Sequence, residues 1–301
     1  MKNRSLISII KWIWIFVVIL ASSYFLTSRW EQIREYFHTV PFLNIFFASV
    51  FLIFGKLTLV FVSRYSLERE GKNLSFIDTF CIVSFTHLAK YIPGGIFHFV
   101  GRYGAYSRWN FTVKKSTRAL ISENIWLLSG ALLTGSLVGI FSLQGKSLLK
   151  SICVQVPTLL LALAILVVWA MIHLGHNKFF PPDNVIPLIK IFGAQLIPWL
   201  FLGISFAFIL PNLSFETISF DISVYSFGWL IGYLVVFAPG GIGIRETALA
   251  WLLSGIVDAE KAIIYSAIHR FLFIVVELLL GLVAGLISLS KQRLWIYRET
   301  K

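Results

Sequence analysis

Twice along this chain a Pro-Gly-Gly-Ile stretch cuts an apolar run that is otherwise fit to lie in a bilayer. The two stretches are Tyr91-Ile-Pro-Gly-Gly-Ile96 and Phe237-Ala-Pro-Gly-Gly-Ile-Gly-Ile-Arg245-Glu246. Helix breakers free backbone N–H and C=O groups, and hydrocarbon offers these no partners. Such breaks are tolerated only where protein covers them or where they line a wet cavity. The second break carries an adjacent Arg and Glu, and the first is followed by Arg102. An ionisable side chain at that depth costs roughly 2.5–3.5 kcal/mol on insertion scales, so it marks a functional site by default. A plain Gly/Pro loop at the membrane surface is the competing reading of either break alone. The existence of a second copy argues against it.

The rest of the chain sets these breaks in a membrane. Of 301 residues, 57% are apolar and 13% charged, with 28 Phe and 10 Trp, and apolar runs of about 20 residues recur. This is the composition of an integral membrane protein. The net charge of +12 does not point to nucleic acid, because the basic residues sit between apolar segments rather than in one stripe. Topology and anionic lipid headgroups account for that placement. Cys81 and Cys153 both lie in apolar segments and read as buried thiols. The N-terminus resembles a signal peptide, but its apolar run continues to Leu26, so an uncleaved first helix is expected.

Six segments are long enough to cross: about 5–27, 41–62, 118–142, 152–174, 188–210 and 263–289. Two more, 76–109 and 223–257, contain the breaks. Residues 101–118 hold Arg102, Arg108, Lys114, Lys115 and Arg118 and no acid. If the preceding segment crossed once, this block would lie outside, against the positive-inside tendency. If it enters and returns, the block joins Arg64, Arg69 and Lys72 in the cytoplasm. Both termini are then cytoplasmic, the charge-balanced loop 28–40 is external, and 223–257 enters and returns from outside.

An internal repeat supports this arrangement. At a constant spacing of 146 residues (93 to 239), Pro-Gly-Gly-Ile meets Pro-Gly-Gly-Ile, Pro41 meets Pro187, Gly135 meets Gly281 and Gly139 meets Gly285. The expected single transmembrane domain, 1–301, thus comprises an extra helix 5–27, a first repeat 41–145, a linking helix 152–174 and a second repeat 187–291. With one helix between the copies, the second is inverted. Broken segments at matching positions of inverted repeats are a transporter signature, with the site near the midplane. The expected fold is all-α, with six full transmembrane helices plus two re-entrant hairpins in an inverted-topology repeat.

The candidate binding residues follow from this placement. Helices restarting after Gly94-Gly95 and Gly240-Gly241 (with Gly243 just beyond) point free N–H groups and positive dipole ends inward, as phosphate or carboxylate receptors do. Arg245 sits beside one tip and can fork two hydrogen bonds to a phosphate. Arg102 belongs either to the cavity or to the cytoplasmic rim. Glu123 lies inside an apolar run, and the repeat sets it opposite His269, beside Arg270. Glu246 is placed to neutralise Arg245 or Arg270 in the absence of ligand. The alternative for these charges is a set of structural ion pairs. His87 and His98 flank the first tip, and Lys90 either clamps an anion or snorkels. No metal spacing, nucleophile triad or nucleotide-binding pattern stands out, and no cofactor is expected.

Tyr91-Ile-Pro-Gly-Gly-Ile, Ser122-Glu123, Pro239-Gly-Gly-Ile-Gly-Ile-Arg-Glu246 and His269-Arg270-Phe together resemble the lysylphosphatidylglycerol synthase transmembrane, or flippase-like, family. The resemblance covers nearly the whole chain and implies a stand-alone member without the synthetase domain. Asn124 and Leu127 stand where the family often has Arg and an acid. The expected function is a flippase or transporter in the plasma (inner) membrane. It would move an anionic lipid (a phospholipid, an aminoacyl-phospholipid or a lipid-linked sugar) between leaflets. With no ATP motif, uphill transport would draw on an ion or proton gradient. The alternatives are a membrane-embedded transferase on a lipid-linked substrate, or a non-catalytic partner of a lipid or glycan synthase. The expected partners are membrane lipids and such a synthase, and not nucleic acid.

Overall fold

The computed structural model describes residues 20, 24, 27–91, 97–141, 156–168, 185–211, 213–235, 238–254 and 257–290. Among the described residues the chain is all-helical, with no strand. The helices are α1 (Trp30–Thr39), α2 (Phe42–Arg69), α3 (Phe76–Leu88), α4 (Phe97–Arg108), α5 (Val113–Phe141), α6 (Val156–Val168), α7 (Val185–Ala194), α8 (Ile197–Ala207), α9 (Phe215–Leu234), α10 (Ile244–Leu253) and α11 (Ala259–Ser290). Four stretches are long and apolar enough to cross a membrane: Phe42–Arg69, Val113–Ile140, Lys190–Ala207 and Ala259–Ser290. Most of the expected first helix, 5–27, lies outside the described residues, as do both ends of 152–174.

Glycine lets these helices approach closely where apolar side chains alone give no driving force in lipid. A Cβ on Gly55 of α2 would fall 2.7 Å from Leu202 Cδ2 of α8, and one on Gly203 would fall 2.6 Å from Ile222 Cα of α9. Helices α2, α5, α8, α9 and α11 thereby enclose the main buried cluster, around Leu52, Trp199, Phe206, Tyr225 and Phe273.

Each broken segment is a pair of packed helices, α3 on α4 and α9 on α10, with the short 3-10 turns Ala89–Tyr91 and Pro239–Gly241 between them in the chain. Ser75 caps α3 by accepting the Asp78 N–H at 3.1 Å. Ser214 caps α9 in the same manner through Thr217. The chain entering α3 and the chain leaving α4 meet, because Lys72 Nζ donates to the Trp109 carbonyl and Arg118 pairs with Glu70. Other contacts tie the residues around the second segment to α1 and the residues just before it. Tyr36 Oη donates to the Ile209 carbonyl at 2.9 Å, and Arg29 pairs with Glu260 through two bonds of 2.6 and 2.7 Å.

Two expectations about helix ends change. Residues 30–39, expected as loop, form α1, because Ile33 and Tyr36 fall on one helical face and bury against the cluster. The expected continuous span 188–210 is interrupted by a turn at Gln195-Leu196. Pro198 follows in the first turn of α8, where its missing N–H is harmless.

Candidate functional site

The second break is built by its glycines. Gly240, Gly241 and Gly243 have φ of 59°, 71° and 84°, a left-handed region that costs an ordinary L-residue about 1–2 kcal/mol. A Cβ on Gly241 would sit 2.8 Å from the Gly232 carbonyl oxygen, and one on Gly232 would sit 2.7 Å from Arg245 Cβ. The turn therefore rests directly on the α9 backbone, and Arg245 enters the core over a residue that has no side chain. Glu246 closes the turn by accepting the Gly243 N–H at 2.7 Å, and its other oxygen lies 3.4 Å from Arg270 Nε. Arg270 Nη2 in turn donates to the Gly240 carbonyl at 2.5 Å. Two of the N–H groups expected to face a ligand are used inside the turn: Gly241 donates to the Ala238 carbonyl and Gly243 to Glu246. That leaves the guanidinium groups as the main anion-holding elements here.

The two breaks meet. The turn Ala89–Tyr91 packs on the turn Pro239–Gly241, and the Tyr91 ring lies against Gly240, with the Arg270 guanidinium 5.9 Å from the ring centre. Beside this junction is a cavity of about 330 Å³. It falls within the size range of small-ligand sites, roughly 300–1,000 Å³. Lys56, Lys90, Arg102, Glu123, Arg245 and Arg270 line it, together with Gly240 and Gly241.

Four of these cations surround one phenyl ring. Lys56 Nζ lies 3.8 Å from the Phe273 ring centre, Lys90 Nζ and the Arg245 guanidinium 4.9 Å, and the Arg270 guanidinium 5.5 Å. Glu277, behind them on α11, accepts from Lys56 and from Lys90 on Oε1 and from the Tyr91 hydroxyl on Oε2. Both of its oxygens are thereby engaged. Arg245 is 3% exposed and lies between the rings of Tyr225 (4.6 Å) and Phe273. Its Nη2 makes no hydrogen bond, and it has no carboxylate partner among the described residues.

Most of the residues expected from sequence come together here. Arg102 lines the cavity: it donates to Glu123, to Thr86 Oγ1 at 3.3 Å, and lies 2.9 Å from His87 Nε2. Glu123 Oε2 receives no hydrogen bond. Gly243, Glu246 and His269 do not line the cavity. His269 is buried beneath it, 3.2 Å from Ser205 Oγ and edge-on to Phe206 and Tyr225, so it supports the wall and does not face Glu123. Glu246 serves Arg270 and the turn, not Arg245. Gly94 and Gly95 lie outside the described residues.

Sequence reasoning passed over Lys56, although it is the only charged residue between Phe42 and Ser63. A lone cation in the middle of an apolar span was the signal that could have found it. Phe273 and Tyr225 gave no signal, since one more aromatic in an apolar helix is unremarked until charges gather round it.

Chemically, the arrangement is a positively lined chamber beside the junction of the two turns. It is suited to holding an anion by charge-assisted hydrogen bonds. Comparison with protein-family models and with curated proteins gives no match for this chain.

Proposed function

We propose that this protein is a lipid flippase or transporter that passes a phosphate-bearing headgroup through the cavity while the tails remain in the bilayer. The observation that carries the reading is Arg245, a buried guanidinium that lines a cavity and has no carboxylate partner among the described residues. A buried charge without a partner is costly, and a bound anion is the natural compensation.

On this reading 76–108 and 215–253 are hairpins that re-enter the membrane from opposite faces, between six full spans in an inverted repeat. The Lys72–Trp109 and Glu70–Arg118 contacts favour a first hairpin that returns to the face it left. The Tyr36–Ile209 and Arg29–Glu260 contacts favour the opposite face for the second. The +12 charge and the basic stretch 101–118 favour cytoplasmic termini in a plasma (inner) membrane, with anionic lipids as partners. The Pro-Gly-Gly-Ile-Gly-Ile-Arg-Glu stretch ties the proposal to the flippase-like family that the sequence resembles.

The test is reconstitution in liposomes with labelled anionic lipid in one leaflet. The unaltered chain is expected to speed exchange, and Arg245→Ala to slow it about 10- to 100-fold, the equivalent of one or two lost charge-assisted contacts. Equal rates for the two proteins would remove the clamp from the reading.

A further inference from the structure

We infer that the cavity selects a headgroup carrying two negative charges and no ammonium, namely a phosphomonoester or a diphosphate, over singly charged phosphodiesters and aminoacylated lipids. This rests on the flippase reading for its lipid substrate and on charge geometry for its selectivity.

The charges around Phe273 do not balance. Lys56, Lys90, Arg245 and Arg270 all approach that ring within 5.5 Å and all line the cavity. Only two carboxylates serve them. Glu277 is shared by both lysines and also takes the Tyr91 hydroxyl, and neither Arg245 nor Arg270 pairs with it. Glu246 faces Arg270 alone and spends its other oxygen on the Gly243 N–H. One positive charge of the lysine pair and the whole charge of Arg245 are left over. The neighbouring Arg102–Glu123 pair cancels itself and changes nothing in this count. Neither Glu246 nor Glu277 lines the cavity, so the chamber meets a ligand with cations while its carboxylates stand behind them.

Two formal positive charges without a carboxylate of their own are matched best by two negative charges on one compact group. A phosphodiester brings one such charge and leaves a cation buried. An aminoacylated phosphodiester brings an ammonium as well, and the one carboxylate on the cavity wall among the described residues, Glu123, is already neutralised by Arg102. Glu123 Oε2, which receives no hydrogen bond, suits a neutral donor such as a hydroxyl on the same headgroup. The same chemistry describes free diphosphate, so the experiment separates lipid from ion.

Proteoliposomes holding the full chain are compared with four labelled lipids: a prenyl diphosphate, phosphatidic acid, phosphatidylglycerol and lysyl-phosphatidylglycerol. The first two are expected to cross at least about tenfold faster than phosphatidylglycerol, the scale of one extra charge-assisted contact, with lysyl-phosphatidylglycerol slowest. Arg245→Gln is expected to shrink that ratio to threefold or less, and Arg245→Lys, which keeps the charge, to retain most of it. In parallel, inorganic diphosphate and phosphate are titrated against the thermal stability of the detergent-solubilised chain, diphosphate being expected to stabilise at the lower concentration. Equal crossing of all four lipids, or fastest crossing of the aminoacylated one, overturns the charge selectivity and leaves the flippase reading standing. Diphosphate stabilisation lost in Arg245→Gln, with no lipid crossing, upholds the doubly charged site as one for a free ion and overturns the flippase reading. No crossing and no stabilisation overturns both.

Discussion

Arg102 and Arg245 line one cavity and are equally buried, each 3% exposed, yet their surroundings are opposite. Arg102 is met by a carboxylate, a threonine hydroxyl and an imidazole, all supplied by α3 and α5. Arg245 is met by two aromatic faces and an unmatched Nη2. The first arrangement pairs its charge within the protein and ties the α3–α4 pair to α5. The second leaves a buried donor unmatched. Burial alone does not distinguish a strut from a receptor, but the inventory of partners does.

Glu123→Ala tests the strut and has the largest expected effect. It strands a buried guanidinium and is expected to cost about 3–5 kcal/mol of unfolding free energy, read by denaturant titration in micelles. Replacing both partners, Arg102→Met with Glu123→Leu, is expected to recover most of that loss. If the single change costs less than about 1 kcal/mol, in the range of an exposed pair, the contrast between the two arginines collapses.

Arg245→Ala tests the receptor from the other side. Its stability cost is expected to stay within about 2 kcal/mol, because the desolvated cation–π contacts that are lost are offset by removal of a buried charge without a carboxylate partner, while lipid crossing falls as described above. A loss of stability as large as that of Glu123→Ala would make Arg245 a second strut. Gly241→Ala sharpens the comparison without touching a charge. It forces φ of 71° on an L-residue and sets a methyl 2.8 Å from the Gly232 carbonyl, so about 1–2 kcal/mol is expected from handedness alone. Thermal unfolding measures it, and no change would mean that the turn is not held on α9. Arg29→Ala is the control of smallest effect. Its pair with Glu260 has side chains 34% and 52% exposed, and the expected cost is about 0.2–1 kcal/mol, shrinking further in high salt.

Local chemistry made part of this legible from sequence. Proline and glycine announce a break wherever they stand, so both broken segments were readable. Charges inside apolar runs announced Arg102, Glu123, Arg245 and Arg270, all of which line the cavity. Pairing was not legible, because it depends on packing between distant elements. Glu277 meets Lys90 and Lys56 across 187 and 221 residues of chain, and nothing local at any of the three positions names the other two. His269 shows the limit of sequence position as a guide: it stands in α11, which borders the site, but the rotation of that helix turns it away from the cavity and Arg270 toward it. Helix α1 was lost because charge balance was read as loop, although Ile33 and Tyr36 already stood three apart.

Gly232 carries a consequence of its own. Its bare Cα is the seat on which the first carbon of the Arg245 side chain rests, so one hydrogen atom on α9 sets how far the guanidinium reaches into the chamber. An alanine there would act as a spacer, shifting that reach while every charged residue stayed unchanged. Ligand choice in this chamber therefore depends on position 232, a locus that no survey of ionisable residues would inspect.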